Sequence, residues 1–344
     1  MGPSSLARPE GQNGRVEPLV SVVIPTLKRP DLVVRAVRSA LHQTLPSIEV
    51  IVVVDGPDSE TVHALTAITD VRLRVKALPH NLGPAEARNT GVNEARGEWV
   101  AFLDHDDEWL PDKLHIQLQA ARQSPHWYPI IGCRLILRHK KNDVVWPTRF
   151  PKDPEPISEY LFCRTRLFAG EGILQSSTIF TARDLLLAVP FRKESQRHDD
   201  LDWVLRATKR NGVGIHYVPG SAPLAIWHRD DNRSTVSSKT NWRFSLAWIN
   251  QNKDLVTPRA YSSFLMTWVS ANAVKEGNRK ESLLLLRQAF KYGKPSVLDV
   301  ILFFGIWLMS TTMRERIALQ CVGHLPLKPD LSPGRISHRR GTSL

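Results

Sequence analysis

Short apolar runs alternate with stretches of helical periodicity through the first hundred residues. Leu19 to Pro25, LVSVVIP, is a β-branched run closed by proline, which predicts a buried strand. Pro30 and Asp31 open a helix at Leu32 in which Val33, Val34, Val37 and Leu41 recur at helical spacing. Ile48 to Asp55 reads as a second strand, followed by the breakers Gly56 and Pro57. Ser59 to Ile68 reads as a short helix, and Val71 to Leu78 alternates like a strand near a sheet edge. Ala85 to Arg96 follows as a helix ended by Gly97, and Glu98 to Asp104 as a fourth strand.

This fourfold strand–helix alternation predicts an α/β fold with a doubly wound, mostly parallel sheet and helices on both faces. Such sheets bind ligands beyond the carboxyl ends of their strands. Asp55 falls at one such end. The stretch FLDHDDEW, Phe102 to Trp109, falls at another and packs four acids into five positions. Like charges so close repel, so a bound cation is one explanation and a solvated loop the other. Asp104 and Asp106, two apart, can face one cation, and Mg²⁺ or Mn²⁺ usually binds through one or two carboxylates plus substrate phosphates. Asp107 and Glu108 are expected to cap the helix after Pro111 or to face water. Taken alone, Asp55 could equally cap a turn and Arg88 be a solvated helix residue.

Composition adds an anionic partner. The 344-residue chain carries a net charge of +12 with a pI near 9.8. Cys133, Cys163 and Cys321 have no paired spacing, which predicts neither a zinc site nor disulfides and fits a reducing, cytoplasmic compartment. Residues 1–18 lack the apolar core of a signal peptide and read as a disordered lead-in. No apolar run reaches the roughly 18 residues of a spanning helix. Val297 to Ser310 comes nearest, either as a buried helix or as an interfacial helix on an anionic membrane surface, with Arg314, Arg316, Arg335, Arg339 and Arg340 beside it. No phosphate-binding P-loop and no G-x-G-x-x-G occurs, which argues against P-loop and Rossmann cofactor chemistry.

A second acidic cluster, RHDDLDWVLR from Arg197 to Arg206, sits at a predicted helix N-terminus, where acids are also favoured by the helix dipole. Between the clusters, GEGILQSSTIFTARDLL reads as loop, strand and helix. Gln175, Ser176 and Ser177 could contact a sugar hydroxyl or be buried strand-start polars. His228 is a candidate metal or phosphate ligand, and Trp227 either stacks on a sugar or belongs to the core.

Four blocks in order, VSVVIPTLKRPDLVVRAVRSALHQT, EVIVVVDGPD, NLGPAEARNTGVNEARGEWVAFLDHDDEWLPDKL and HDDLDWVLR, resemble the family 2 glycosyltransferases over about Val20 to Arg229. The resemblance implies a GT-A fold and metal-dependent, inverting transfer from a nucleotide-sugar donor to a glycan or lipid-linked acceptor. Cell-surface polysaccharide or glycolipid biosynthesis is the expected setting. It further implies that Pro25 and Thr26 line the nucleotide pocket, that Asp55 accepts from the base, and that Arg88 lies near the donor. Asp104 and Asp106 would form a DXD-type motif, holding Mn²⁺ or Mg²⁺ with His228 as a further ligand. Asp200 would be the catalytic base, while Gln175, Ser176, Asp199 and Trp203 would lie on the acceptor side. The family often has two acids where this chain has Val54-Asp55, Gly-Ser where it has Gly56-Pro57, and Glu where it has Asp199.

The expected organisation is a glycosyltransferase domain over 19–235, divided into a nucleotide-sugar-binding half at 19–110 and an acceptor-binding half at 111–235. A helical C-terminal region at 236–325 and a basic flexible tail at 326–344 would follow. The protein is expected at the inner face of the plasma membrane as a peripheral protein, with no nucleic-acid partner. Two other classes fit an acid pair on a parallel sheet. They are a sugar-nucleotide nucleotidyltransferase, disfavoured by PTLKRPD after the first strand, and a non-catalytic membrane-associated binding module.

Overall fold

The computed structural model describes residues 17–309 and 313, apart from 140–141, 168–170, 196, 221 and 230–240. The expected lead-in, apart from residues 17–18, the tail, Cys321 and the five arginines from Arg314 onward therefore lie outside the described residues.

The first half folds as its periodicity predicts. The strands β1 (Val20–Thr26), β2 (Ile48–Val54), β3 (Leu73–Ala77) and β4 (Trp99–Phe102) alternate with helices α1 (Pro30–Leu41), α2 (Ser59–Thr66) and α3 (Pro84–Glu94). Next come β5 (Glu108–Trp109), α4 (Lys113–Gln123), β6 (Tyr128–Gly132), β7 (Leu135–His139), β8 (Asn142–Trp146) and α5 (Ile157–Phe162). A single 3₁₀ turn at Ser176–Thr178 precedes β9 (Phe180–Ala182), α6 (Arg183–Ala188), α7 (Asp199–Ala207), β10 (Val213–Tyr217) and β11 (Ala225–His228). The described residues continue with α8 (Trp242–Gln251), α9 (Pro258–Ser263), a π-helical stretch (Phe264–Val269), α10 (Ser270–Lys275), α11 (Glu281–Tyr292) and α12 (Val297–Leu308).

Seven strands form the main sheet in the order β10-β6-β9-β4-β1-β2-β3. All neighbours are parallel except β9, which runs against both β4 and β6. β3 is one of the two edges, as its alternating pattern predicts. A smaller sheet, β5-β11-β7-β8, packs beside it. Alternate residues of β1 enter two cores. Val20, Val22 and Ile24 pack in one with Val33, Val37 and Leu41 of α1, and Val23 packs in the other with Ala85 and Val92 of α3 and Trp203 and Val204 of α7. Helices thus cover both faces. α3 lies so close to β1 that a Cβ on Gly91 would stand 2.3 Å from Val23 Cγ1, so this helix position admits only glycine.

A third core gathers the C-terminal helices around Tyr261, Phe264, Leu265 and Phe303, and it includes Phe162, Cys163 and Leu205 of the preceding segment. The helical region is therefore packed onto α5 and α7, the helix that carries the second acidic cluster. Cys133 and Cys163 are free and buried, as the unpaired spacing predicts.

Candidate active site

Strand direction brings the candidate residues to one edge. Thr26 ends β1, Asp55 follows β2 and Asp104 follows β4. Because β9 runs antiparallel, its entry at Gln175–Ile179 lies against the exit of β4, where Phe102 N donates to Ile179 O. The N-terminus of α7 closes the group.

Arg88 of α3 is the hub. The residue is 5% exposed, so its charge must be met by protein. Nη1 donates to Asp199 Oδ2, and Nη2 donates to Asp104 Oδ1 at 2.7 Å and to Ser176 Oγ at 3.2 Å. Burial alone would lower its pKa, but Asp199, Asp104 and Asp200 more than offset this and raise it, so the cation is permanent. The two acidic clusters, 95 positions apart in sequence between Asp104 and Asp199, are therefore bridged by one arginine. The alternative of a solvated helix arginine is overturned.

Asp104 is fully engaged. Its second oxygen accepts from Gln175 Nε2 at 3.2 Å, and its backbone N–H donates to Ser177 Oγ at 3.0 Å. Asp107 differs from expectation: it neither caps a helix nor faces water. It is 1% exposed, with Oδ2 accepting from Ser177 Oγ at 2.6 Å and Gln175 Nε2 at 2.7 Å, while Oδ1 has no partner. Burial, then Asp106 and Asp104, push its pKa well up. A solvated acidic loop is thereby excluded for Asp107. Glu108 likewise pairs inward, with His228 Nε2 at 2.6 Å and Arg35 Nε at 3.3 Å.

Asp106 is the carboxylate left over. Arg35 Nη2 fixes its backbone carbonyl at 2.6 Å, and among the described residues its side chain enters none of the bonds that hold its neighbours. Among the described residues no group of three or more His, Cys, Asp or Glu is arranged to hold a metal. A single uncommitted carboxylate fits a hard divalent ion whose remaining ligands are substrate phosphates and water, and does not fit an all-protein cage.

Asp200 is half-buried beside this group, with Oδ1 accepting from Leu201 N at 2.8 Å. Burial first, then Asp199, push its pKa up to about 7, with Arg88 opposing. That is where a general base is most effective at neutral pH.

Several assignments change. Gln175, Ser176 and Ser177 spend their polar atoms on Asp104, Asp107 and Arg88, so they hold the acid loop and do not present themselves to an acceptor. Asp199 is the partner of Arg88 and likewise leaves the acceptor side. Trp203 is fully buried, stacked on Phe191 and donating to Val189 O at 2.7 Å, so it is core. Trp227 packs against the first core. His228 gives its Nε2 to Glu108 and does not offer that atom to an ion. Asp55 is buried and holds the turn that leads into α3, accepting from Leu82 N at 2.7 Å and Gly83 N at 2.9 Å. Thr26 keeps a buried, unpartnered Oγ1, and Pro25 O meets His105 Nδ1 at 3.3 Å.

Residues 21–168 match the family described as glycosyl transferase family 2. TuaG of Bacillus subtilis, a glycosyltransferase assigned to teichuronic acid biosynthesis, is 41% identical over 180 residues, covering 49% of this chain and 70% of TuaG. The chain belongs to glycosyl transferase family 2. The amylovoran biosynthesis glycosyltransferase AmsB of Erwinia amylovora is 26% identical over 245 residues, covering 70% of this chain and 79% of AmsB. A mannosyltransferase from Pyrobaculum calidifontis, solved with GDP-Man and Mn²⁺, superposes with a TM-score of 0.52 at 18% identity, covering 89% of this chain and 85% of that one. That likeness establishes the GT-A architecture of this family 2 glycosyltransferase.

Proposed function

We propose that this family 2 glycosyltransferase transfers a sugar, with inversion, from a nucleoside diphosphate sugar to an acceptor hydroxyl in the assembly of a cell-surface polysaccharide or glycolipid. The observation that carries the reading is the Arg88 bridge, which sets the base candidate Asp200 beside the acid loop. The names of AmsB and TuaG support the polysaccharide setting.

In this reading residues 19–110 hold the donor and 111–235 the acceptor. Thr26, Pro25 and Asp55 line the nucleotide pocket; Asp55 keeps lone pairs beyond the two it gives to the turn before α3. Asp106 would hold Mn²⁺ or Mg²⁺, which when bound supplies positive charge to a leaving diphosphate. Asp104, clamped by Arg88 and Gln175, presents a fixed edge to the sugar or ribose. Asp200 takes the proton from the acceptor hydroxyl at Oδ2, since Oδ1 is bonded to Leu201 N.

The test is a panel of nucleotide-sugars scored by melting temperature with and without Mn²⁺. A donor at 100 times its Kd stabilises the folded state by about 2.7 kcal/mol. The expected result is one donor that stabilises the parent only with Mn²⁺ and leaves Asp106→Ala unshifted. A donor that shifts both equally would remove Asp106 from the reading.

We also place an anionic membrane face among the partners. The exposed positions Val297, Ile301, Phe304 and Leu308 recur at helical spacing along α12, while Phe303 is buried on its other side. The one acid of α12, Asp299, is buried and caps its own helix with Ser296. Arg279, Lys280, Arg287, Lys291 and Lys294 supply exposed positive charge nearby in sequence. No helix among the described residues is long and apolar enough to cross a membrane. Ile301→Glu with Phe304→Glu should lower the partition coefficient onto phosphatidylglycerol vesicles about 10²-fold or more, given about 1.5–3 kcal/mol per buried large side chain. Equal, salt-insensitive partitioning of parent and variant would count against the surface.

A further inference from the structure

His198 precedes Asp200 by two residues and takes no part in the bonds of the Arg88 bridge. It is the N-cap of α7, at φ +61°, in the left-handed region that few side chains other than Asn, Asp and His occupy. Such a conformation persists only where the surroundings over-determine it. Here they do. The ring is buried, its Nε2 lies 2.9 Å from Ser245 Oγ, and its centroid lies 4.9 Å from Trp248, 5.7 Å from Phe264 and 5.8 Å from Trp268. The His198 carbonyl accepts from Asp202 N at 2.7 Å and so starts the helix.

The socket is made entirely by the C-terminal region. Ser245 and Trp248 come from α8, and Phe264 and Trp268 from the π-helical stretch. π-Helical turns disturb the regular ladder and are found frequently at functional sites. This one aims two aromatic rings at one histidine, and those rings stack on each other at 6.0 Å. Burial, then Arg197, holds the imidazole down to about 3, so the ring stays neutral over any working pH and its grip does not switch.

We propose that His198 is a positioning residue for the catalytic base: anchored in the C-terminal aromatic socket, it fixes the left-handed turn that points Asp200 at the acceptor. The proposal rests on the reading of Asp200 as base. It gives the helical C-terminal region a part in the chemical step and separates that part from donor binding, which lies at the other end of the Arg88 bridge.

The test uses the full chain and four variants, His198→Asn, Ser245→Ala, Asp200→Asn and the double variant His198→Asn/Asp200→Asn. Asn tolerates the left-handed turn but lacks the ring, and Ser245→Ala removes one hydrogen bond if His198→Asn fails to fold. A misplacement of about 1 Å can cost about 10²-fold in rate. The expected result is a kcat loss of about 10²-fold for His198→Asn, a smaller loss for Ser245→Ala, and donor affinity at the parent value in both. In the Asp200→Asn background, His198→Asn should add nothing, because a group that acts through the base has nothing left to position. Parent kcat in folded His198→Asn, or in Ser245→Ala where His198→Asn does not fold, or a full further loss in the double variant, would overturn the proposal while leaving Asp200 as base. Parent kcat in Asp200→Asn would instead overturn the assignment of the base itself.

Discussion

On the proposed role, Asp200→Asn should lower kcat by about 10²- to 10⁴-fold, the usual range for removing a general base, and leave donor affinity in Mn²⁺ at the parent value. Asparagine keeps the size of the side chain and an oxygen for Leu201 N, but cannot accept a proton. The pH dependence follows from the raised pKa. Burial and Asp199 hold Asp200 at about 7, so the active carboxylate is lost as pH falls through 7, and the parent rate drops about tenfold per unit below it. The variant loses this limb. Stability moves the other way. A carboxyl raised in the folded state binds its proton more tightly there than in the unfolded chain, so its contribution is full below about 4 and is lost as pH rises from there through 7. Asp200→Asn escapes that loss and should unfold at higher denaturant than the parent at pH 8. A variant that is slower yet more stable at pH 8 is the signature of a strained functional carboxylate. A rate within twofold of the parent would move the base elsewhere.

Arg88→Gln should damage everything at once. It removes one cation that faces Asp104, Asp199 and Asp200 in a buried site. Breaking a buried pair by deleting one partner typically costs about 3–5 kcal/mol, because the remaining charge is left uncompensated. The loss is read as a lower denaturation midpoint with an unchanged slope. Donor affinity and kcat should both fall, since Asp104 and Asp199 lose their anchor together, in contrast to the kcat-only effect at Asp200. Whatever activity remains should have its acidic limb above 7, because the Arg88 charge lowers the Asp200 pKa and its loss leaves only the Leu201 N–H to do so. A variant with parent stability and parent donor affinity would show that the bridge is incidental.

The fold was legible because its signals are local and repeated. β1 and β2 are apolar runs buried on both faces, α1 carries its stripe at helical spacing, and proline and glycine mark the boundaries. The second sheet was not legible. β5 is only two residues long and pairs with β11 more than a hundred positions away, so no periodicity announces it. The acid loop at the carboxyl end of β4 followed from strand order, but its internal roles did not. Asp107 and Glu108 read as solvated because four acids in a row of five suggest water. Asp107 instead finds Ser177 and Gln175 of a distant 3₁₀ turn, and Glu108 finds Arg35 and His228. Trp203 and the acid beside it share one helix. Which face meets the core is decided by the partner, Phe191, and not by spacing alone. His198 went unremarked for the same reason: its meaning lies in Trp248, Phe264 and Trp268, and its left-handed turn leaves no trace in composition.

In the proposed function Asp200 drives a direct displacement from the donor in a single site joined by Arg88. Inversion at the anomeric carbon tests it most directly. The measurement is the ¹H spectrum of the anomeric proton, taken before mutarotation, on sugar released by slow hydrolysis of whichever α-linked nucleotide-sugar the protein binds. The expected first product is the β anomer, formed by the parent and greatly slowed in Asp200→Asn. The α anomer as first product would contradict it.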